Sequence, residues 1–237
     1  GKEPVAILSN KAHYSFKTGL GLARLPVELV ETYEDGSIDI DELKRAFAKY
    51  PDRPILMCIM NGTTVHEGRD NIRLVLEASE DTRRHRSEFF YHVDGAFSAP
   101  YLNLINAPAD ITPNFDHDID SLSISGHKFL GPQRTVGAYI THAKHSTIAR
   151  EQATYLATSN LSIGGSRDAL PMIEFFLCIR YYGLERFREW AIACLATAKK
   201  VADGMRNMGV ENVLLNDYAL TVYFKQPSKT LVDKHSL

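Results

Sequence analysis

Lys128 and Asp94 are the residues of this sequence whose surroundings most suggest chemistry. Lys128 closes the stretch Asp120-Ser121-Leu122-Ser123-Ile124-Ser125-Gly126-His127-Lys128, where apolar and polar residues alternate as in a short buried strand. Leu122 and Ile124 are expected to point inward and the serines outward. The strand should break at Gly126 and deliver a half-buried His127 and Lys128 to its carboxyl end. Ligands of open α/β sheets sit outside that end. A lysine desolvated in such a place becomes a nucleophile toward carbonyl carbons. Taken alone, an ordinary surface lysine after a strand is the more economical reading.

Asp94 changes that balance. It ends the apolar run Phe89-Phe90-Tyr91-His92-Val93 and is followed by the small residues Gly95 and Ala96. If the two runs are parallel neighbours, Asp94 and Lys128 leave the sheet on the same side. A carboxylate facing a reactive lysine is the pair that pyridoxal phosphate requires. The lysine anchors the aldehyde, and the acid keeps the ring nitrogen protonated so that the ring accepts electrons. Gly95 and Ala96 would leave room for a flat ring.

Val93-Asp94-Gly95-Ala96 and then Ser123-Ile124-Ser125-Gly126-His127-Lys128-Phe129-Leu130-Gly131 resemble the group II pyridoxal-phosphate-dependent amino acid decarboxylases. Within that group the chain is most similar to the branch of bacterial histidine and plant serine decarboxylases. Ser9-Asn10-Lys11-Ala12-His13-Tyr14-Ser15, Gly62-Thr63-Thr64 and Gly165-Ser166-Arg167 fall in the order the resemblance requires. It runs nearly end to end, and the ordered set is far more specific than any one piece.

The resemblance implies an α/β fold: the mainly parallel sheet of a fold type I (aspartate aminotransferase-like) large domain, followed by part of a small α+β domain. Residues 1–170 are expected to form the cofactor-binding large domain, incomplete at its N-terminus. Residues 171–237 are expected to be connecting helices and the start of the small domain, broken off before its end. The segment expected to be missing includes the glycine- and serine-rich loop that grips the phosphate. Lys128, His13 and Asp94 are the implied catalytic residues. His13 would stack on the ring, Ala96 pack on its other face, and Thr63 lie near the ring and the Asp94 carboxylate. Ser125 and His127 would reach the phosphate, and Arg167 would hold a substrate carboxylate or buttress the site. The implied reaction converts an L-amino acid to its amine and carbon dioxide, with histidine first and serine or another small or aromatic amino acid behind it. Decarboxylation rests on the resemblance alone, because the outcome depends on which bond at the α-carbon stands perpendicular to the ring. Another fold type I enzyme, an aminotransferase or lyase, and a non-catalytic remnant or partner subunit are the alternatives. The family also implies a dimer or a complementing chain.

Composition narrows the partners. A net charge of -2 on 237 residues gives no reason to expect nucleic acid or an anionic membrane. The cluster Arg83-Arg84-His85-Arg86 is short, follows acidic residues and reads as a solvated loop. Cys58, Cys178 and Cys194 are widely spaced in apolar surroundings and read as free, buried thiols of a reducing compartment. No apolar stretch approaches the ~20 residues of a membrane span, and Gly1-Lys2-Glu3-Pro4 is unlike a signal peptide, so the cytoplasm is expected.

The positioning elements follow from periodicity. Strands are expected over Val5 to Leu8, Val27 to Val30, Pro54 to Met60 and Phe89 to Val93, with Val136 to Ile140 an antiparallel addition after Lys128. Helices are expected from Tyr14 to Leu22, from a cap at Asp39 or Asp41 to about Tyr50, and from Asp70 to about Ala78. Pro100 to Asp118 should be an irregular excursion. Two helices should meet near Tyr182-Gly183, the second burying Phe187, Trp190, Ala191, Cys194 and Leu195. Val213 to Leu215 and Leu220 to Phe224 read as strands of the terminal lobe. His66 and Glu67 invite a metal reading, but no second ligand pair follows at useful spacing and a solvent-facing turn accounts for both. Four strand ends, at His13, Thr63, Asp94 and Lys128, thus bring polar groups to one edge.

Overall fold

The computed structural model describes residues 2–84, 88–145, 151–152, 159–160 and 168–235. Its strands are β1 (Val5–Ser9), β2 (Val27–Val30), β3 (Ile55–Met60), β4 (Phe89–Asp94), β5 (Ser121–Ser125) and β6 (Gly137–Thr141). They form one six-stranded sheet in the order β2-β1-β3-β4-β5-β6. All neighbours are parallel except β6, which runs antiparallel to β5 with Leu122 opposite Ile140. This is the expected mixed, mainly parallel α/β sheet. A separate two-residue pairing joins β7 (Glu151–Gln152) to β8 (Ser159–Asn160).

Alternate side chains of a strand face opposite sides of its sheet, and both sides carry apolar residues here. Val5, Ile7, Met57, Ile59, Tyr91 and Val93 share one core with Leu43 and Phe47 of α2 (Ile40–Ala48) and Ile72 and Val75 of α3 (Ile72–Arg84). Ala6, Leu8, Cys58 and Met60 share another with Leu20 of α1 (Tyr14–Leu22). Helix α2 starts where its sequence demands: the Asp39 carboxylate accepts the N–H groups of Asp41 and Glu42 at 2.9 and 3.0 Å. Full burial of a side chain such as Leu43 stabilises by about 1.5–3 kcal/mol, so these faces dominate the energetics.

Several expectations need correction. Helix α3 continues to Arg84, so Arg83 lies on a helix and pairs with Asp118 at 3.1 Å instead of lying in a loop. The stretch after Ala99 is less irregular than expected, beginning with α4 (Ala99–Leu102) and two single 3-10 turns. Ser121 is fully buried, because that face of β5 lies beside the half-buried His92, whose Nδ1 is 2.8 Å from its hydroxyl. Of the three thiols, Cys58 is buried, Cys178 half-buried and Cys194 exposed.

Helix α5 (Leu170–Asn207) contains the expected break: Gly183 adopts φ 71° and ψ 166°, a conformation that favours glycine. Beyond it Phe187 and Ala191 are buried as expected, but Trp190 is 37% exposed and Cys194 faces solvent. The two C-terminal strands are reduced to a single bridge between Leu214 and Tyr223. Helix α6 (Lys229–His235) ends the described chain, and no helix among the described residues is long and apolar enough to cross a membrane.

Candidate active site

The sheet reverses its winding between β1 and β3, and their carboxyl ends open the crevice that such a switch point creates. A cavity of about 470 Å³ lies there, lined by His13, Thr63, Asp94, Ala96, Ser125, His127 and Lys128, together with Ser123 and Met60. Seven of the expected site residues therefore meet in one place. The eighth, Arg167, lies outside the described residues.

Each side chain is delivered by a definable local structure. His13 follows the turn after β1 and caps α1, its Nδ1 lying 2.7 Å from the Ser15 hydroxyl. Capping and cavity-lining thus coexist in one residue. Thr63 follows β3 and is buried; its hydroxyl accepts the Gly68 N–H at 2.9 Å and closes a tight turn. That turn enters through Gly62 at φ 109°, where a Cβ would stand 2.4 Å from the Ser98 hydroxyl, so a side chain is excluded twice over. Asp94 ends β4, and its Oδ1 accepts the Ala96 N–H at 3.0 Å. Gly95 does not make room for a ring: its Cβ would collide with Ala99 and Leu122, so its smallness serves the packing of α4 on β5.

His127 and Lys128 follow β5, and both are exposed, which corrects the expectation of a half-buried histidine. The His127 Nδ1 lies 2.8 Å from the Val136 carbonyl oxygen, which orients the ring. On the same face of β3 and β4 as Met60 and Asp94, burial pushes the Cys58 thiol up to about 12, with the Asp94 charge adding to the effect. Burial also lowers the His92 pKa, against the opposing pull of Asp94.

Three features were missed in the sequence. Ser123 joins Ser125 on the cavity, a consequence of period-two alternation along β5. Glu67 is fully buried, not solvent-facing, and pairs with Arg69 at 2.6 Å. His66 is half-buried, with its ring edge-on to Tyr223 at 4.8 Å. The sequence signal was there in two opposite charges, Glu67 and Arg69, placed within a turn after a central strand. Thr221, from the far end of the chain, lines an adjoining cavity with Lys128.

A primary amine, a carboxylate, an imidazole and two serine hydroxyls on one crevice fit the functional groups of pyridoxal phosphate: aldehyde, ring nitrogen, ring face and phosphate. Fold and crevice together define an α/β domain of the fold type I class. The chain belongs to the pyridoxal-dependent decarboxylase family, whose conserved domain matches residues 1–226. It is 32% identical over 220 residues to a histidine decarboxylase of Mesorhizobium japonicum, covering 92% of this chain and 58% of that protein. It is 28% identical to serine decarboxylase 1 of Oryza sativa subsp. japonica, over 92% of this chain and 45% of the relative. The chain thus spans about half the length of the curated relatives it matches.

Among solved structures, L-methionine decarboxylase from Streptomyces sp. 590 superposes with TM-score 0.85 at 21% identity, over 99% of this chain and 62% of that one. A sphingosine-1-phosphate lyase from Burkholderia pseudomallei superposes with TM-score 0.72 at 19% identity, over 86% of this chain and 47% of its own. At such identities the likeness is one of fold.

Proposed function

We propose that this chain forms the cofactor-binding part of a pyridoxal-phosphate-dependent decarboxylase that converts an L-amino acid to its amine and carbon dioxide. Histidine is the first candidate substrate and serine the next. The observation that carries the proposal is the convergence of Lys128, Asp94, His13 and Thr63 on one crevice, in a chain of the decarboxylase family.

When bound, pyridoxal phosphate supplies an electron sink for the carbanion left by the departing carboxylate. The chain's residues take the following roles. Lys128 Nζ would hold the cofactor aldehyde, and its ammonium form would be a proton donor on the crevice. Asp94, with one oxygen held by the Ala96 N–H, keeps a proton on the ring nitrogen. His13 and Ala96 would offer surfaces to the two ring faces, with Thr63 on the same cavity as the Asp94 carboxylate. Ser125 and His127 would donate hydrogen bonds to the phosphate, and Arg167 would hold a substrate carboxylate or buttress the site. Residues 1–170 make up the large domain and 171–237 the connecting helices and the start of the small one. The working form is a homodimer or a complex with a complementing chain, and free thiols at Cys58, Cys178 and Cys194 support a cytoplasmic home.

The test is a carbon dioxide release assay on the cofactor-supplied protein with L-histidine, L-serine and a panel of other amino acids. Release from at least one of them, reduced by more than about a thousandfold in Lys128→Ala, is expected for a covalent anchor that also handles a proton. Release that persists in Lys128→Ala would contradict the assignment.

A further inference from the structure

Two cavities meet at Lys128. The one already described carries Asp94 and Ser125. The second, of about 490 Å³, shares His13, Gly62, Thr63, Thr64 and Lys128 with it and is completed by Phe97 and Thr221. Thr221 is half-buried, and among the described residues its hydroxyl has no hydrogen-bond partner. A residue with an unpartnered hydroxyl thus lines the part of the crevice that shares Lys128 with the Asp94 cavity but not Asp94 itself.

Thr221 is held there by a buried charge cluster. The Glu67 carboxylate, fully buried, accepts the N–H groups of Leu220 and Thr221, both at 2.8 Å. It also accepts from Arg69 Nη2 at 2.6 Å, from the Ser98 hydroxyl at 3.2 Å and from the Tyr101 hydroxyl. Arg69 donates onward to the carbonyls of Asp217 and Tyr218 at 2.9 and 3.0 Å. Asn216 reaches back to the carbonyls of Asp35 and His66 at 2.7 and 2.8 Å. Glu67 itself sits at φ 50°, a left-handed conformation that costs a non-glycine residue energy and persists only where its surroundings fix it. Removing one partner from such a buried pair leaves the other charge uncompensated, so the cluster holds together as a unit.

We propose that Thr221 and Phe97 form the wall against which the substrate side chain rests, and that Glu67 is the positioning residue that sets Thr221 there. This rests on the pyridoxal-phosphate reading above and adds a substrate class to it. A free hydroxyl beside an aromatic ring selects an α-amino acid whose side chain is polar and hydrogen-bonding, rather than aliphatic.

The experiment compares Thr221→Val, Glu67→Gln and the double variant in the same cofactor-supplied protein. In Thr221→Val, KM for the productive amino acid rises about threefold to tenfold, the range of one neutral hydrogen bond. Its kcat stays within about twofold and its cofactor absorbance band is unchanged. In Glu67→Gln, KM shifts in the same direction and hydrogen exchange at the Leu220 and Thr221 amides quickens. The two KM effects do not multiply in the double variant, because the first change has already displaced the hydroxyl. An unchanged KM in Thr221→Val for every substrate, or loss of its cofactor band, overturns the wall. Multiplying effects, or unchanged exchange in Glu67→Gln, overturn the positioning role. A wild-type chain that traps no cofactor on Lys128 overturns the underlying site instead, and that result is read before any variant is made.

Discussion

Asp70 illustrates how single residues of the turn after β3 hold the site. It is fully buried, and its two oxygens accept the N–H groups of Ile38 and Met60 at 2.8 and 2.7 Å. Burial raises its pKa to about 7, although both hydrogen bonds pull the other way. An unfolded aspartate titrates near 3.9, so the native state binds this proton more tightly than the unfolded chain does. The stabilising contribution is therefore complete below about pH 4 and is lost as pH rises toward about 7. Urea denaturation at a series of pH values should show stability falling through that window, by a few kcal/mol at most. Asp70→Asn should flatten the slope, and an equal slope in the variant would rule out Asp70 as its source. Residue-scale roles of this kind were only partly legible in the sequence. Lys128, Asp94, His13 and Thr63 stand at the ends of apolar runs, but it is the ordered set of motifs and the resemblance it carries that single them out. For Glu67 the local pattern shows only an opposite charge at Arg69; its burial depends on Leu220 and Thr221, about 150 positions away, which lie beyond any local pattern.

At the scale of elements, capping and packing decide where the site residues stand. Asp39 caps α2 through two backbone N–H groups, and α2 covers the face of the sheet that carries Met57 and Val93. Asp39→Ala should cost about 1 kcal/mol, read as a lower urea midpoint with unchanged slope; an unaltered midpoint would show that the cap contributes nothing. Strand and helix periodicity located β1 to β6, α1 and α2 to within one or two residues, because the apolar pattern, caps and turns all agree there. Agreement fails near the C-terminus. Residues 213–224 alternate as strands do, yet only Leu214 and Tyr223 bridge. The backbone groups that a ladder would use are taken by side chains: Leu220 and Thr221 donate to Glu67, and Asp217 and Tyr218 accept from Arg69. Helix α5 misled differently. Phe187 and Ala191 mark its buried stripe, and Trp190 and Cys194 lie off it.

For the whole molecule, strand order turns scattered motifs into a crevice. With β1 and β3 adjacent and wound to opposite sides, the residues after β1, β3, β4 and β5 converge although they span His13 to Lys128 in the sequence. The parallel order itself was not written in any single segment; it was implied by the resemblance and by the need to bring four strand ends to one edge. The buried Glu67–Arg69–Tyr101 cluster then fastens the C-terminal segment to the same turn that carries Thr63, so both walls of the crevice share one support. The central claim is that this crevice holds pyridoxal phosphate on Lys128. The most direct measurement is to add the cofactor, reduce with borohydride and map the labelled peptides. The account predicts a visible absorbance band that reduction removes, with the label on the peptide containing Lys128. Label scattered over surface lysines, with no band before reduction, would contradict it.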